Sequence, residues 1–417
     1  MLYSLFQGLD FPGAGIFQYL TFRAAAAIIL SLVIAAVFGA SIIRLLKRRQ
    51  IGEDIRELGL EGQTQKKGTP TMGGLVILAA ILIPLLLVAD LGNVYVLLLA
   101  VSTVWLGLIG FLDDYIKVFR HKKAGLDGRF KIFGQVGLGI IVGTVMWLSP
   151  QIAVREIEET PAATTISANQ TAQNQAGQAP QTELTLQSGA PEKTTKTTVP
   201  FVKDLELDYG VFTGEKGDNG TVTWLLYMLI ATLVITAISN GANLTDGLDG
   251  LNTGVAIPVV VVLGVFAYLS GNIIWADYLN IMYIPGTGEI VIFAAAMAGA
   301  LVGFMWYNGF PAQVFMGDTG SLAIGGVVAV MALLIRKELL LPVMCGVWVV
   351  ETASVVIQTT WFKITKRRYG EGRRVFLMAP LHHHYQKKGF HESKIVIRFV
   401  ILSILMAAIT LTTLKVR

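Results

Sequence analysis

At 417 residues, with 53% hydrophobic and 15% charged residues and a mean hydropathy of +0.62, the chain is too apolar for a water-soluble domain, which carries about a quarter charged residues. The composition predicts an all-α integral membrane protein. The net charge of +5 and pI of about 9.1 would suit a nucleic-acid binder. Yet the Lys and Arg residues lie in loops between apolar runs, where they set topology and meet phosphates or lipid, so no nucleic-acid partner is expected.

In chain order, apolar runs long enough to span a bilayer occupy 18–45, 71–89, 93–112, 132–149, 223–240, 251–270, 289–306, 318–335, 339–360 and 395–414. They predict ten transmembrane helices. No basic region with a short apolar core opens the chain, so the first run reads as a retained helix rather than a cleaved leader. Dense basic loops at 44–67, 117–131 and 363–394 contrast with loops at 90–92 and 271–288 that hold no Lys or Arg. By the positive-inside rule the basic loops are cytoplasmic and both termini extracytoplasmic. The single Cys345 sits in an apolar run and reads as packing.

The chain thereby divides into 1–150 (helices one to four), 151–222 (an extracytoplasmic insert) and 223–417 (helices five to ten). Residues 160–198 are rich in Thr, Gln, Ala, Asn and Pro. Such a composition buries too little apolar surface to fold, so this stretch is expected to be disordered and removable. Residues 199–208 read as a short hairpin or interfacial element. Asn169-Gln-Thr171 matches a glycosylation sequon, a short and common pattern.

Three carboxylate-bearing segments fall on the predicted cytoplasmic side: Phe111-Leu-Asp113-Asp114-Tyr-Ile-Lys117, Asn243-Leu-Thr-Asp246-Gly-Leu-Asp249-Gly250 and Phe315-Met-Gly-Asp318-Thr-Gly320. Acidic groups are costly near hydrocarbon. Asp113 and Asp114, placed at a helix C-terminus, oppose its dipole and repel each other. Asp246 and Asp249 sit among glycines and carboxamides in a loop able to hold a ligand. Asp318 at a helix start would by itself be an ordinary N-cap. Together the five carboxylates predict one polar site for a hard cation such as Mg²⁺ and phosphates. Lys66-Lys67 ahead of Gly68-Thr-Pro-Thr71 lacks Walker spacing, but suits phosphate near a helix N-terminus. His382-His383-His384 diverge on regular backbone with no Cys near, which fits polar or cationic phosphate contacts better than zinc.

With these motifs assembled, the chain resembles the phospho-N-acetylmuramoyl-pentapeptide-transferase family, within the polyprenyl-phosphate N-acetylhexosamine-1-phosphate transferases. The motifs carrying the resemblance are Gly68-Thr-Pro-Thr-Met-Gly-Gly74, Asp113-Asp114-x-x-Lys117, Asn243-Leu-Thr-Asp-Gly-Leu-Asp-Gly250, Phe315-Met-Gly-Asp-Thr-Gly-Ser-Leu322 and Pro380-Leu-His-His-His384. It implies Mg²⁺-dependent transfer of phospho-MurNAc-pentapeptide from UDP-MurNAc-pentapeptide to undecaprenyl phosphate in the bacterial cytoplasmic membrane. It further implies Asp318 and Asp114 at the metal and Asp113 as proton acceptor or, alternatively, nucleophile. Asn243, Asp246, Asp249, Asn308 and Phe315 would form the nucleotide pocket, with Phe315 stacked on uracil. Lys66, Thr71, Lys117, Ser321, Gln358, His382, His383 and His384 would face phosphate and sugar, Lys67 being equally near the first motif. A homodimer surrounded by membrane lipids suits the family. The long polar insert departs from its usual short loop. The alternatives are a sister enzyme transferring GlcNAc-1-phosphate and, from another class, a transporter. Transport sites lie toward the bilayer midplane, whereas these acids fall at helix ends.

Overall fold

Backbone inside hydrocarbon must satisfy its own hydrogen bonds, so the apolar runs become helices. The computed structural model describes residues 14–48, 66, 68–120, 125–161, 184–202, 206–215 and 220–415. Its principal helices are α1 (Leu20–Arg48), α2 (Gly74–Val88), α3 (Val94–Phe119), α4 (Gly128–Leu148), α5 (Thr221–Thr245) and α6 (Leu251–Ser270). They continue with α7 (Ile273–Leu279), α8 (Gly288–Asn308), α9 (Gly317–Leu334), α10 (Gly346–Tyr369), α11 (Leu381–Lys387) and α12 (Glu392–Thr412). Among the described residues, eight helices are long and apolar enough to cross a membrane. The bent pair Glu338–Met344 and Gly346–Tyr369, at 79°, makes nine. Helix α2 has 15 residues and so spans about 22 Å, short of the roughly 30 Å hydrocarbon core. The protein is therefore a multi-pass, mostly helical membrane protein.

Helix α9 lies at the centre, buried from Asp318 to Leu334, with α2, α3 and α5 packed around it. Its first turn comes unusually close to two neighbours. A Cβ on Gly110 of α3 would stand 2.2 Å from the Asp318 carbonyl oxygen, and one on Gly74 of α2 would stand 2.2 Å from Gly320 N. Only glycine admits that approach. On the far side of the bundle α8 packs on α1, α6 and α2, and α12 packs on α6.

The expectation of disorder over 160–198 does not hold for its described part. Strand β1 (Val154–Pro161) pairs antiparallel with β2 (Leu184–Glu192), and β3 (Lys196–Thr198) with β4 (Glu206–Asp208). The hairpin expected at 199–208 thus uses the three residues before it. Residues 162–183, including the sequon at Asn169, lie outside the described residues. The polar side chains resist burial in a core, but here they satisfy backbone. Lys193 Nζ donates to the carbonyls of Met146 (3.1 Å), Ile152 (2.6 Å) and Ser149 at the C-terminal end of α4, where a cation complements the helix dipole. Thr198 N and Thr197 Oγ1 donate to Arg336 O at 3.3 and 3.2 Å, and Lys337 Nζ donates to Thr198 Oγ1 at 2.7 Å. The Arg336 guanidinium lies over Tyr227 and Trp224, 4.9 and 5.8 Å from the ring centres. The insert's flanks therefore fasten this end of the bundle.

Candidate active site

Helix α3 does not end at Asp114 as expected but runs on to Phe119, because Tyr115-Ile-Lys-Val-Phe continues its amphipathic face. That extension puts Lys117 one turn beyond Asp113. Its Nζ stands 2.6 Å from Asp113 Oδ2 and 3.2 Å from Asp318 Oδ1. A second cation, Lys131 in the first turn of α4, mirrors it at 2.9 Å from Asp113 Oδ1 and 2.5 Å from Asp318 Oδ2. Leu126 N also donates to Asp113 Oδ1 at 2.7 Å. The motifs did not single out Lys131. Its signal was available, since an ammonium near a helix N-terminus is as ill-placed as an acid near a C-terminus.

Asp318 is not the cap of its own helix. Asp114, reaching across from α3, accepts from Asp318 N (3.1 Å), Thr319 N (2.9 Å) and Thr319 Oγ1 (2.6 Å). One helix thus caps another, and Asp318 is left to face the lysines. Asn243 at the end of α5 donates to Asp318 Oδ1 at 3.0 Å and to Ser321 Oγ at 2.8 Å. Thr71, buried ahead of α2, brings its hydroxyl beside Gly317 and Asp114.

Donor atoms of Asp113, Asp114 and Asp318 come within 4.8 Å of one another. Three carboxylates face two ammonium groups at the centre, a formal excess of one acidic group. Hard oxygen donors with a small excess of negative charge fit a divalent cation that keeps positions for substrate oxygens. The residues therefore fit Mg²⁺.

A second network adjoins the first through the loop that follows α5. Lys66 Nζ stands 2.6 Å from both Asp249 Oδ1 and Glu392 Oε1. Glu392 Oε1 also accepts from Asp249 N at 2.7 Å, and Asp249 Oδ2 accepts from Ala312 N at 2.9 Å. Asp249 is consequently buried and engaged in holding loops together, with Glu392 as a partner the sequence reading missed. Lys67 lies outside the described residues. Asp246 caps the C-terminus of α5 and is half-buried.

Other expected contacts also turn inward. Asn308 is buried, accepting from Thr253 Oγ1 (2.8 Å) and donating to Val314 O (3.0 Å). Phe315 is half-buried, its N donating to Pro70 O and its O accepting from Gly73 N, both at 2.8 Å. Gln358 Oε1 accepts from Val375 N and Phe376 N at 3.0 and 2.9 Å, so it organises the segment ahead of the histidines.

The three histidines do diverge on α11. His382 is fully buried, with Nδ1 and Glu351 Oε2 at 3.1 Å. Burial, with His382 and Lys66 as its electrostatic neighbours, pulls His383 down to about 4, so near neutral pH it is a polar and not a cationic contact. His384 is lowered by partial burial and by Lys388, and its Nδ1 accepts from Leu377 N at 3.1 Å.

Two family models match the chain: glycosyl transferase family 4 over residues 194–336, and the phospho-N-acetylmuramoyl-pentapeptide-transferase signature 1 over residues 66–78. The chain is 55% identical to a Flavobacterium psychrophilum protein named phospho-N-acetylmuramoyl-pentapeptide-transferase over 424 aligned residues. It is 53% identical over 435 residues to the Porphyromonas gingivalis (strain W83) protein of that name, and 51% over 435 to that of Parabacteroides distasonis. Each alignment covers 100% of both chains.

Proposed function

The chain belongs to the phospho-N-acetylmuramoyl-pentapeptide-transferase family, and from that premise we propose that it transfers phospho-MurNAc-pentapeptide from UDP-MurNAc-pentapeptide to undecaprenyl phosphate, releasing UMP. The observation that carries this reading is the pair of lysines each bridging Asp113 and Asp318, beside a loop rich in carboxylates and carboxamides. We further propose ten crossings of the bacterial cytoplasmic membrane, with α2 and the bent pair both counted. Both termini then lie outside and the carboxylate centre on the cytoplasmic side, as the basic loops require.

In the proposed reaction an oxygen of the lipid phosphate attacks the sugar-bound phosphorus of the diphosphate. The new P–O bond joins sugar phosphate to lipid phosphate, and the bond to UMP breaks. Asp318 and Asp114 would hold Mg²⁺, which when bound polarises phosphoryl oxygens and neutralises charge as they react. Lys117 and Lys131 place two positive charges where the diphosphate and lipid phosphate converge. Phosphoryl transfer depends mainly on such positioning. Asp113 accepts the last proton of the lipid phosphate. The second ionisation of a phosphate monoester falls near pH 6, so little basicity is required of that carboxylate. Asn243 orients Asp318 and Ser321, while Phe315 stacks on uracil from the loop before α9.

The test is UMP release in detergent with undecaprenyl phosphate, with and without Mg²⁺, comparing UDP-MurNAc-pentapeptide with UDP-GlcNAc. Mg²⁺-dependent release from the muramoyl substrate alone is expected. Release only from UDP-GlcNAc would favour the sister enzyme, and no release from either would remove the transferase reading.

A further inference from the structure

We propose that Glu351 is a positioning residue that seats the loop 246–250 on His382, and that this seat sets affinity for the uridine-nucleotide donor. The proposal rests on the reading of that loop as part of the nucleotide pocket. Glu351 lies in α10 with no exposed surface. A carboxylate inside a membrane-spanning helix is costly and marks a task. The described partners of its two oxygens are on one residue. Oε1 accepts from His382 N at 3.1 Å, and Oε2 stands 3.1 Å from His382 Nδ1. Two bonds to one residue fix both the start of α11 and the plane of the imidazole ring.

The ring's other nitrogen shows what the arrangement serves. His382 Nε2 is buried and has no hydrogen-bond partner among the described residues. It faces Gly247, where a Cβ would stand 2.2 Å away. Gly247 is not among the glycines with positive φ, so its backbone would accept alanine. The three atoms nearest to that Cβ all belong to the imidazole, which enforces glycine there. The loop carrying Asp246 and Asp249 therefore rests against a ring whose position is dictated from α10. With no exposed surface itself, His382 acts through the loop, and Glu351 acts through His382.

Steady-state kinetics of the full-length protein in detergent, with thermal melting of each variant, test this. Glu351→Ala is expected to raise KM for UDP-MurNAc-pentapeptide about tenfold, with kcat and KM for undecaprenyl phosphate within about twofold. Glu351→Gln keeps an acceptor for His382 N while turning an amide toward Nδ1, and is expected to recover most of the lost donor affinity. A folded Glu351→Ala variant with unchanged donor KM would overturn the proposal, as would a Gln variant no better than Ala. Should Glu351→Ala fail to fold, Gly247→Ala decides. It is expected to raise donor KM when His382 is present and to add nothing to His382→Ala. An equal cost in both backgrounds would refute the seat. If the unaltered protein released no UMP, the function reading would fall separately. The seat would then be judged by melting, where Gly247→Ala should lower Tm only with His382 present, and equal lowering in both backgrounds would refute it.

Discussion

Both ends of α9 bury cations, and the two ends treat them differently. At the Asp318 end, Lys117 and Lys131 each bridge two carboxylates, and their side chains keep 26% and 17% of their surface exposed. At the Arg336 end, Arg336 and Lys337 keep 2% and 1%, and with Lys193 they meet carbonyls, hydroxyls and aromatic faces. A cation with open surface and a surplus of acids nearby can still gain from an incoming phosphate. A cation sealed against backbone has been assigned to holding the fold, since a desolvated charge is stable only with its partners in place. Charge near a helix end is therefore no guide to function unless the openness of the charge is known.

The comparison breaks or sharpens most decisively at Asp318. Replacing it with Asn should lower kcat on the order of a thousandfold, about 4 kcal/mol of transition-state stabilisation, with the melting temperature nearly kept. Turnover close to normal at saturating Mg²⁺ would remove the metal role. Lys131→Met should lower kcat roughly a hundredfold, as loss of one preorganised electrostatic partner commonly does. Its kinetics beside those of a Lys117→Met variant would show whether the two bridges are equivalent.

At the other end, Lys193→Met should leave kcat and both KM values within about twofold. It should cost about 1–3 kcal/mol of stability, because buried carbonyls lose their donor. Chemical denaturation alongside turnover checks this, and a kcat loss matching that of Lys131→Met would erase the distinction between the ends. A smaller effect concerns His383. Its folded-state pKa of about 4 lies below the ordinary value of 6.5, so on acidification the unfolded chain takes up a proton first. The stability it contributes is present above pH 6.5 and is lost as pH falls toward 4. The melting temperature should fall more steeply over that window in the unaltered protein than in His383→Gln, and parallel curves would contradict the shift.

The smallest effect is expected from deleting residues 162–183. Pro161 pairs with Leu184, so an Asn-Gly turn can join the strands there, and kcat and both KM values should remain within a few-fold. Removing 160–198 instead takes away Lys193, Thr197 and Thr198 and should destabilise the bundle. If the shorter deletion abolished turnover in a monodisperse protein, the two ends would be coupled through the insert.

The chain's own order of residues determined the membrane class, the approximate places of the helices and the three acidic segments. Long apolar runs leave the backbone little choice, and carboxylates beside them are expensive enough to stand out. Sequence could not separate side chains that face a ligand from those that bond a distant backbone. Asp249, Asn308 and Gln358 look like ligand contacts along the chain, yet each bonds backbone from a loop or helix outside its own segment. Lys131, Glu351 and Glu392 look ordinary along the chain, yet they complete networks whose other members are up to 326 residues away. Asp114 is legible as an unusual acid, but only packing against α9 makes it that helix's cap. Burial and hydrogen bonding are properties of neighbours in space. Tertiary structure alone decided which charges were sealed into the fold and which kept exposed surface.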